Sequence, residues 1–188
     1  MKSGWATAVL VVQGKETGPP NVADRCLLAL SNPAVPDTRQ PYHAVMRASV
    51  SPRRAAQLER RLVSAVRRAT TTAVRRLLAH YRRSGRRPRR AGIVVGSLID
   101  PAAIANDHIR AHALEGRLFR TVLAETLRSH GVGCAITVER AVYARAAREL
   151  KRGEAELKRA VTELGRSLDG PWRADEKTAT LAAWMALR

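Results

Sequence analysis

The sequence predicts an α/β protein with a five-stranded mixed sheet, in the order βββαβαβαα, and helices on the faces of that sheet. Three observations predict it. Three short β-rich or alternating segments, separated by turn-rich stretches, occupy the first fifty residues. A long amphipathic stretch follows, marked by arginine pairs. Two apolar runs, one flanked by glycine, then alternate with helical patterning, which is the mark of βαβ units. At 188 residues the chain fits a single domain, 1–188, with a real core.

Trp5 to Val12, Ala23 to Leu30 and Tyr42 to Ser49 read as strands. The separators, Gly14 to Asn21 and Asn32 to Pro41, read as a hairpin loop and a longer connection, so an antiparallel meander is expected. Trp5 to Val12 is interrupted by Thr7 and lacks a cleavage-like region, which makes it a strand rather than a signal peptide.

The next stretch carries the most regular feature of the chain. Arginine pairs stand at Arg53-Arg54, Arg60-Arg61, Arg67-Arg68, Arg75-Arg76 and Arg82-Arg83, at intervals of seven, seven, eight and seven residues. Seven steps of about 100° drift by only about 20°, so the pairs form a stripe along one side of a helix spanning about 52–84. Leu58, Leu62, Val66, Ala69, Ala73, Leu77 and Tyr81 line the opposite side. Arg86-Arg87-Pro88-Arg89-Arg90 follows, where proline should end the helix and leave a basic loop.

Gly92 to Gly96 reads as the fourth strand. Asp100-Pro101 supplies an N-cap and first-turn proline for a helix to about Ser129, stopped by His130-Gly131. Gly133 to Val138 is the fifth strand, with the continuous apolar character of a covered parallel strand. Helical patterning covers about 141–168, with a break near Gly153, and then about 174–187.

A formal net charge of +18 and a sequence pI near 11.5 favour a nucleic-acid backbone over an acidic small substrate. DNA is expected ahead of RNA. No apolar run approaches the roughly 20 residues of a membrane span, and no membrane partner is expected. Aromatic residues make up only 4% of the chain, too few for a base-stacking platform, which points to backbone contacts. Cys26 and Cys134 lie far apart without metal-ligand spacing, as expected of reduced thiols in a cytoplasmic protein. No phosphate-binding glycine loop, nucleophile elbow or dinucleotide fingerprint is present.

Two short segments resemble a known family. Ser3-Gly4-Trp5-Ala6 resembles the end of the opening motif of the RuvC family of Holliday-junction resolvases, and Arg173 to Ala183 resembles that family's closing helix, where aspartates precede an Ala/Leu-rich face. With the element order, this implies a ribonuclease H-like fold. It also implies phosphodiester hydrolysis by two divalent metal ions, Mg²⁺ or Mn²⁺, on four carboxylates. A homodimer is a further expectation, because the resembled resolvases act as dimers.

The carboxylates are mostly missing. The opening aspartate would fall upstream of Met1, Val95-Gly96-Ser97 stand where the strand-four carboxylate belongs, and Thr178 occupies the position one turn after Asp175. Asp175 alone matches a ligand position. Asp100 could replace the strand-four carboxylate or simply cap its helix.

On the middle helix, His108 and Glu115 fall within the apolar stripe of Ile104, Ala111, Leu118, Phe119 and Val122, with His112 at its edge. A buried Glu115 requires a partner, either His108 or an arginine from another element. The alternative is a metal or acid-base site. Gly116 in mid-helix hints at close approach of another backbone.

The leading expectation is a degenerate RuvC-like protein that binds nucleic acid through the arginine face without catalysis and without a cofactor. The second is a metal-dependent nuclease with relocated groups, the candidates being Asp175, Asp100, His108 and Glu115, with Asp175 holding the metal. The third is an assembly protein whose basic helix binds an acidic protein.

Overall fold

In a computed structural model of the chain, residues 1–14, 18–166 and 168–188 are described. Two strands open the chain, β1 (Trp5–Val12) and β2 (Asn21–Ala29), paired antiparallel with Trp5 opposite Ala29 and a register shift between Leu10 and Val11. Lys15, Glu16 and Thr17 of the expected hairpin loop lie outside the described residues. Helices α1 (Pro41–Arg47) and α2 (Pro52–Arg83) follow, then β3 (Arg90–Val95), α3 (Asp107–Ser129) and β4 (Gly133–Val138). The chain continues with α4 (Val142–Leu150), α5 (Glu154–Glu163) and α6 (Ala174–Ala186). Ser167, within the expected helical stretch 141–168, is also outside the described residues.

The five-stranded ribonuclease H-like sheet does not form. Among the described residues there are two separate two-stranded sheets, β1 with β2 antiparallel and β3 with β4 parallel, the latter in register from Arg90 opposite Gly133 to Val95 opposite Val138. Two physical reasons account for the difference.

First, Tyr42 to Ser49, expected as the third strand, is largely helix α1. Pro41 presets the dihedral of its first position, and His43 and Ala44 pack inward while Met46 and Arg47 stay exposed. Over seven residues an apolar pattern cannot separate a period of 2 from one of 3.6, and packing against α2 and α3 decides for the helix.

Second, β1 and β3 do not pair. A cavity of about 700 Å³, lined by Trp5 to Gln13 on one side and Arg86 to Val94 on the other, stands in place of a continuous sheet. Helix α6 packs against both strands, and the Met1 amino group donates to the Val94 carbonyl at 3.0 Å. Gly92 permits the contact on the β3 side, because a Cβ there would lie 2.6 Å from the Ala182 carbonyl oxygen.

The main core gathers Leu28 and Leu30 from the hairpin, Val66, Val74 and Leu78 from α2, Ile93 from β3, and Phe119, Val122 and Leu123 from α3. A second cluster, Val142, Leu157, Val161, Leu181 and Trp184, joins α4, α5 and α6. Trp184 is therefore a core residue, whereas Trp5 is half-buried with Lys2 over its ring. The helix expected from Asp100 is divided. Asp100 caps a 3₁₀ turn (Pro101–Ala103), and α3 begins afresh, with the Asn106 side chain accepting from the Ile109 N–H at 3.0 Å.

Candidate functional site

Two features of the structure concentrate chemistry, an arginine face on α2 and a histidine cluster between α1 and α3. The face arises because α2 buries Leu62, Val66, Thr70, Val74 and Leu78 in one row at intervals of four. All ten arginines of the five pairs remain exposed on the other side. The first and last pairs are 29 residues apart, close to eight full turns at about 3.6 residues per turn, so the single eight-residue interval keeps the row straight.

At about 1.5 Å per residue, α2 is about 48 Å long. It carries one acidic residue, the half-buried Glu59. Among the described residues, Arg67 is the member of the five pairs that forms an ion pair, with Glu125 at 3.0 Å. Arg68 donates to Ser64 Oγ, and Arg82 to the Leu78 carbonyl. Beyond the helix, Arg86 is half-buried and Arg87 and Arg89 are exposed, and all three line the cavity beside β1. Arg90 opens β3 and donates to the Arg188 carbonyl.

The histidine cluster joins residues 72 apart in sequence. Glu115 on α3 is fully buried, and its Oε1 faces both the His43 backbone N–H at 3.4 Å and His43 Nδ1 at 2.8 Å. A carboxylate oxygen only accepts, so Nδ1 is the nitrogen that donates to Oε1, and in the tautomer this contact selects, Nε2 carries the lone pair. Nε2 is buried without a hydrogen-bond partner, as is Glu115 Oε2.

Around the His43 ring stand His108 and His112, both exposed and one helical turn apart. The ring centroids lie 4.8 Å from His43 to His108, 4.2 Å from His43 to His112, and 4.7 Å from His108 to His112. One ligand nitrogen from each ring lies within 4.8 Å of the other two.

Of the four residues singled out as catalytic candidates, the structure brings His108 and Glu115 together and leaves the two aspartates elsewhere. Asp100 accepts from the Ala102 N–H at 3.2 Å and lies 3.6 Å from an Arg117 guanidinium nitrogen, which is a capping role. Asp175, in the first turn of α6, pairs with Lys2 at 3.1 Å. That contact sets the Ser3 to Ala6 segment beside the Arg173 to Ala183 segment. Neither aspartate belongs to the histidine grouping.

The partner of Glu115 is His43, not His108 or an arginine. In the sequence His43 lies within the Tyr42 to Ser49 segment that reads as a strand, and nothing in its spacing ties it to the middle helix. The signal that could have found it was the unmet requirement of a buried carboxylate for a donor. The expected close approach at Gly116 is absent, since a Cβ there would meet nothing within 4 Å.

Burial raises the thiol pKa of Cys26, in β2, with Asp24 adding to the shift, and burial likewise raises that of Cys134 in β4. Both cysteines are free. Among the described residues, no helix is long and apolar enough to cross a membrane. No protein-family model, curated protein or solved structure matches the chain.

Proposed function

We propose that this protein binds the sugar-phosphate backbone of nucleic acid through the arginine face of α2, DNA ahead of RNA. The observation that carries the reading is the near absence of acidic partners along a straight row of exposed guanidinium groups on a net charge of +18. Arginines that serve only to solvate a helix are normally interleaved with Glu or Asp at i±3 or i±4, because such pairs stabilise the helix by a few tenths of a kcal/mol. Helix α2 gives up that stabilisation and holds like charges close together, an arrangement that polyanion binding offsets through counterion release. A cytoplasmic location fits the two free thiols.

The test is fluorescence anisotropy of nuclease-treated protein with a labelled duplex and a labelled four-way junction across a salt series. Binding that weakens steeply with salt is expected on both. Preference for the junction would support the resemblance to RuvC resolvases. Absent or salt-insensitive binding refutes the proposal, and co-purification of an acidic protein that survives nuclease treatment would then assign the same face to assembly.

A further inference from the structure

We infer that His43, His108 and His112 form a binding site for one zinc-class divalent transition-metal ion, with Glu115 orienting His43 and one coordination position open to solvent. Four observations converge on it. The three rings face one another with ligand nitrogens no more than 4.8 Å apart. A tetrahedral ion with metal–nitrogen bonds of about 2.0–2.1 Å needs those nitrogens about 3.3 Å apart. Small χ rotations of the exposed His108 and His112 close that difference, and their i, i+4 spacing puts both on one face of α3.

The second observation is His43 Nε2, a buried nitrogen that has no hydrogen-bond partner. A buried lone pair without a donor is costly, and a cation among the rings satisfies it. Third, Nδ1 of the same ring is held by a fully buried carboxylate at 2.8 Å. Carboxylate–imidazole–metal relays have this form, the outer carboxylate fixing the tautomer and raising the basicity of the ligating nitrogen.

Fourth, the charge balance suits a dication. Glu115 Oε2 has no hydrogen-bond partner and lies 3.9 Å from His112 Nδ1, and the nearby Arg117 lies 3.6 Å from Asp100, so the carboxylate's negative charge sits beside the rings. Three imidazoles select zinc, cobalt, nickel or copper, whereas magnesium and manganese prefer the oxygen ligands that this cluster lacks. Three protein ligands plus a solvent molecule is the stoichiometry of zinc centres that activate water, so the ion would present its open position between the exposed rings. This inference is independent of the nucleic-acid reading, since a chain that holds zinc and ignores DNA keeps one and loses the other.

The experiment is titration of chelator-stripped full-length protein with Zn²⁺ and with Co²⁺. Bound metal is quantified after desalting, the visible spectrum reports the cobalt geometry, and thermal melting reports stabilisation. One ion per chain, a tetrahedral cobalt spectrum and a raised Tm are expected. His108→Ala and His112→Ala change exposed side chains, and each should melt like the stripped wild type yet fail to retain the ion. Glu115→Gln should fold with affinity lower by about 10- to 100-fold. No metal retained by the wild type, or equal retention by His108→Ala and His112→Ala, overturns the inference. Loss of folding in His43→Ala would leave the decision to those two variants.

Discussion

Replacing Arg60, Arg61, Arg75 and Arg76 with glutamine should change how binding responds to salt, more tellingly than how tightly the protein binds at any one salt concentration. These four residues are exposed and form no ion pair among the described residues, so their removal leaves the fold intact. Successive pairs lie about 10.5 Å apart along α2, taking about 1.5 Å per residue over seven residues. Phosphates of one strand advance about 3.4 Å each, so one phosphate per pair is a conservative assignment. Five contacts then give a slope of log K against log salt of about −4.5 on duplex DNA, and three give about −2.7. Between roughly 50 and 200 mM salt the wild type should lose about 500-fold in affinity and the variant about 40-fold. Anisotropy across that range, with circular dichroism to verify helicity, measures both slopes. Equal slopes would refute the assignment of phosphates to the arginine pairs, even if the variant bound more weakly overall.

Two glycines on neighbouring elements should respond oppositely to the same substitution. Gly92→Ala drives a methyl group to 2.6 Å from the Ala182 carbonyl oxygen and should destabilise by about 1–3 kcal/mol, whereas Gly116→Ala enters open space on a helix and should stabilise by about 0.5–1 kcal/mol. Thermal melts of the two variants should therefore shift in opposite directions, and a shared sign would contradict the packing described for α6 on β3. Asn106→Ala removes the acceptor for the Ile109 N–H and should cost about 1 kcal/mol, read from denaturant midpoints. Burial raises the folded-state pKa of the Cys26 and Cys134 thiols, so their contribution to stability is fully present below the unfolded thiol pKa and is lost as pH climbs through the folded values. Alkylation of both thiols near pH 8 should be slower than that of a free cysteine and accelerate in stronger alkali; rapid labelling at pH 8 would contradict the burial.

Long, strongly periodic segments were legible because their own pattern over-determines them. Helix α2 repeats its apolar row for about six turns, and the sequence boundaries of about 52–84 agree closely with Pro52–Arg83. The βαβ passage through β3, α3 and β4 was legible for the same reason. The sheet was not, because strand pairing is a long-range property. Whether β1 meets β3 depends on what fills the space between them, and alternation along either strand is silent on that point. The histidine cluster was half legible. His108, His112 and Glu115 share a helix and could be placed on one face from spacing alone. His43 joins them only because residues 41–47 fold as a helix, and the strand reading of that segment hid the contact.

Helix α6 bridges two sheets that share no backbone hydrogen bonds with each other in the described residues. During synthesis, the hairpin of β1 and β2 can close early, and the β3–α3–β4 unit can close soon after, each from sequence-local contacts. The main core already joins the hairpin to β3 and α3 through Leu28, Leu30, Val66, Ile93 and Phe119, but the packing of α6 on both β1 and β3 waits for residues 174–186, more than 160 residues after Trp5. Contacts of such separation close slowly, since chain entropy must be lost before any packing rewards it. The apolar walls between β1 and β3 stay open to other chains throughout that interval. Segments of this protein shortened ahead of α6 should accordingly aggregate during translation, so the order in which the chain appears controls its yield.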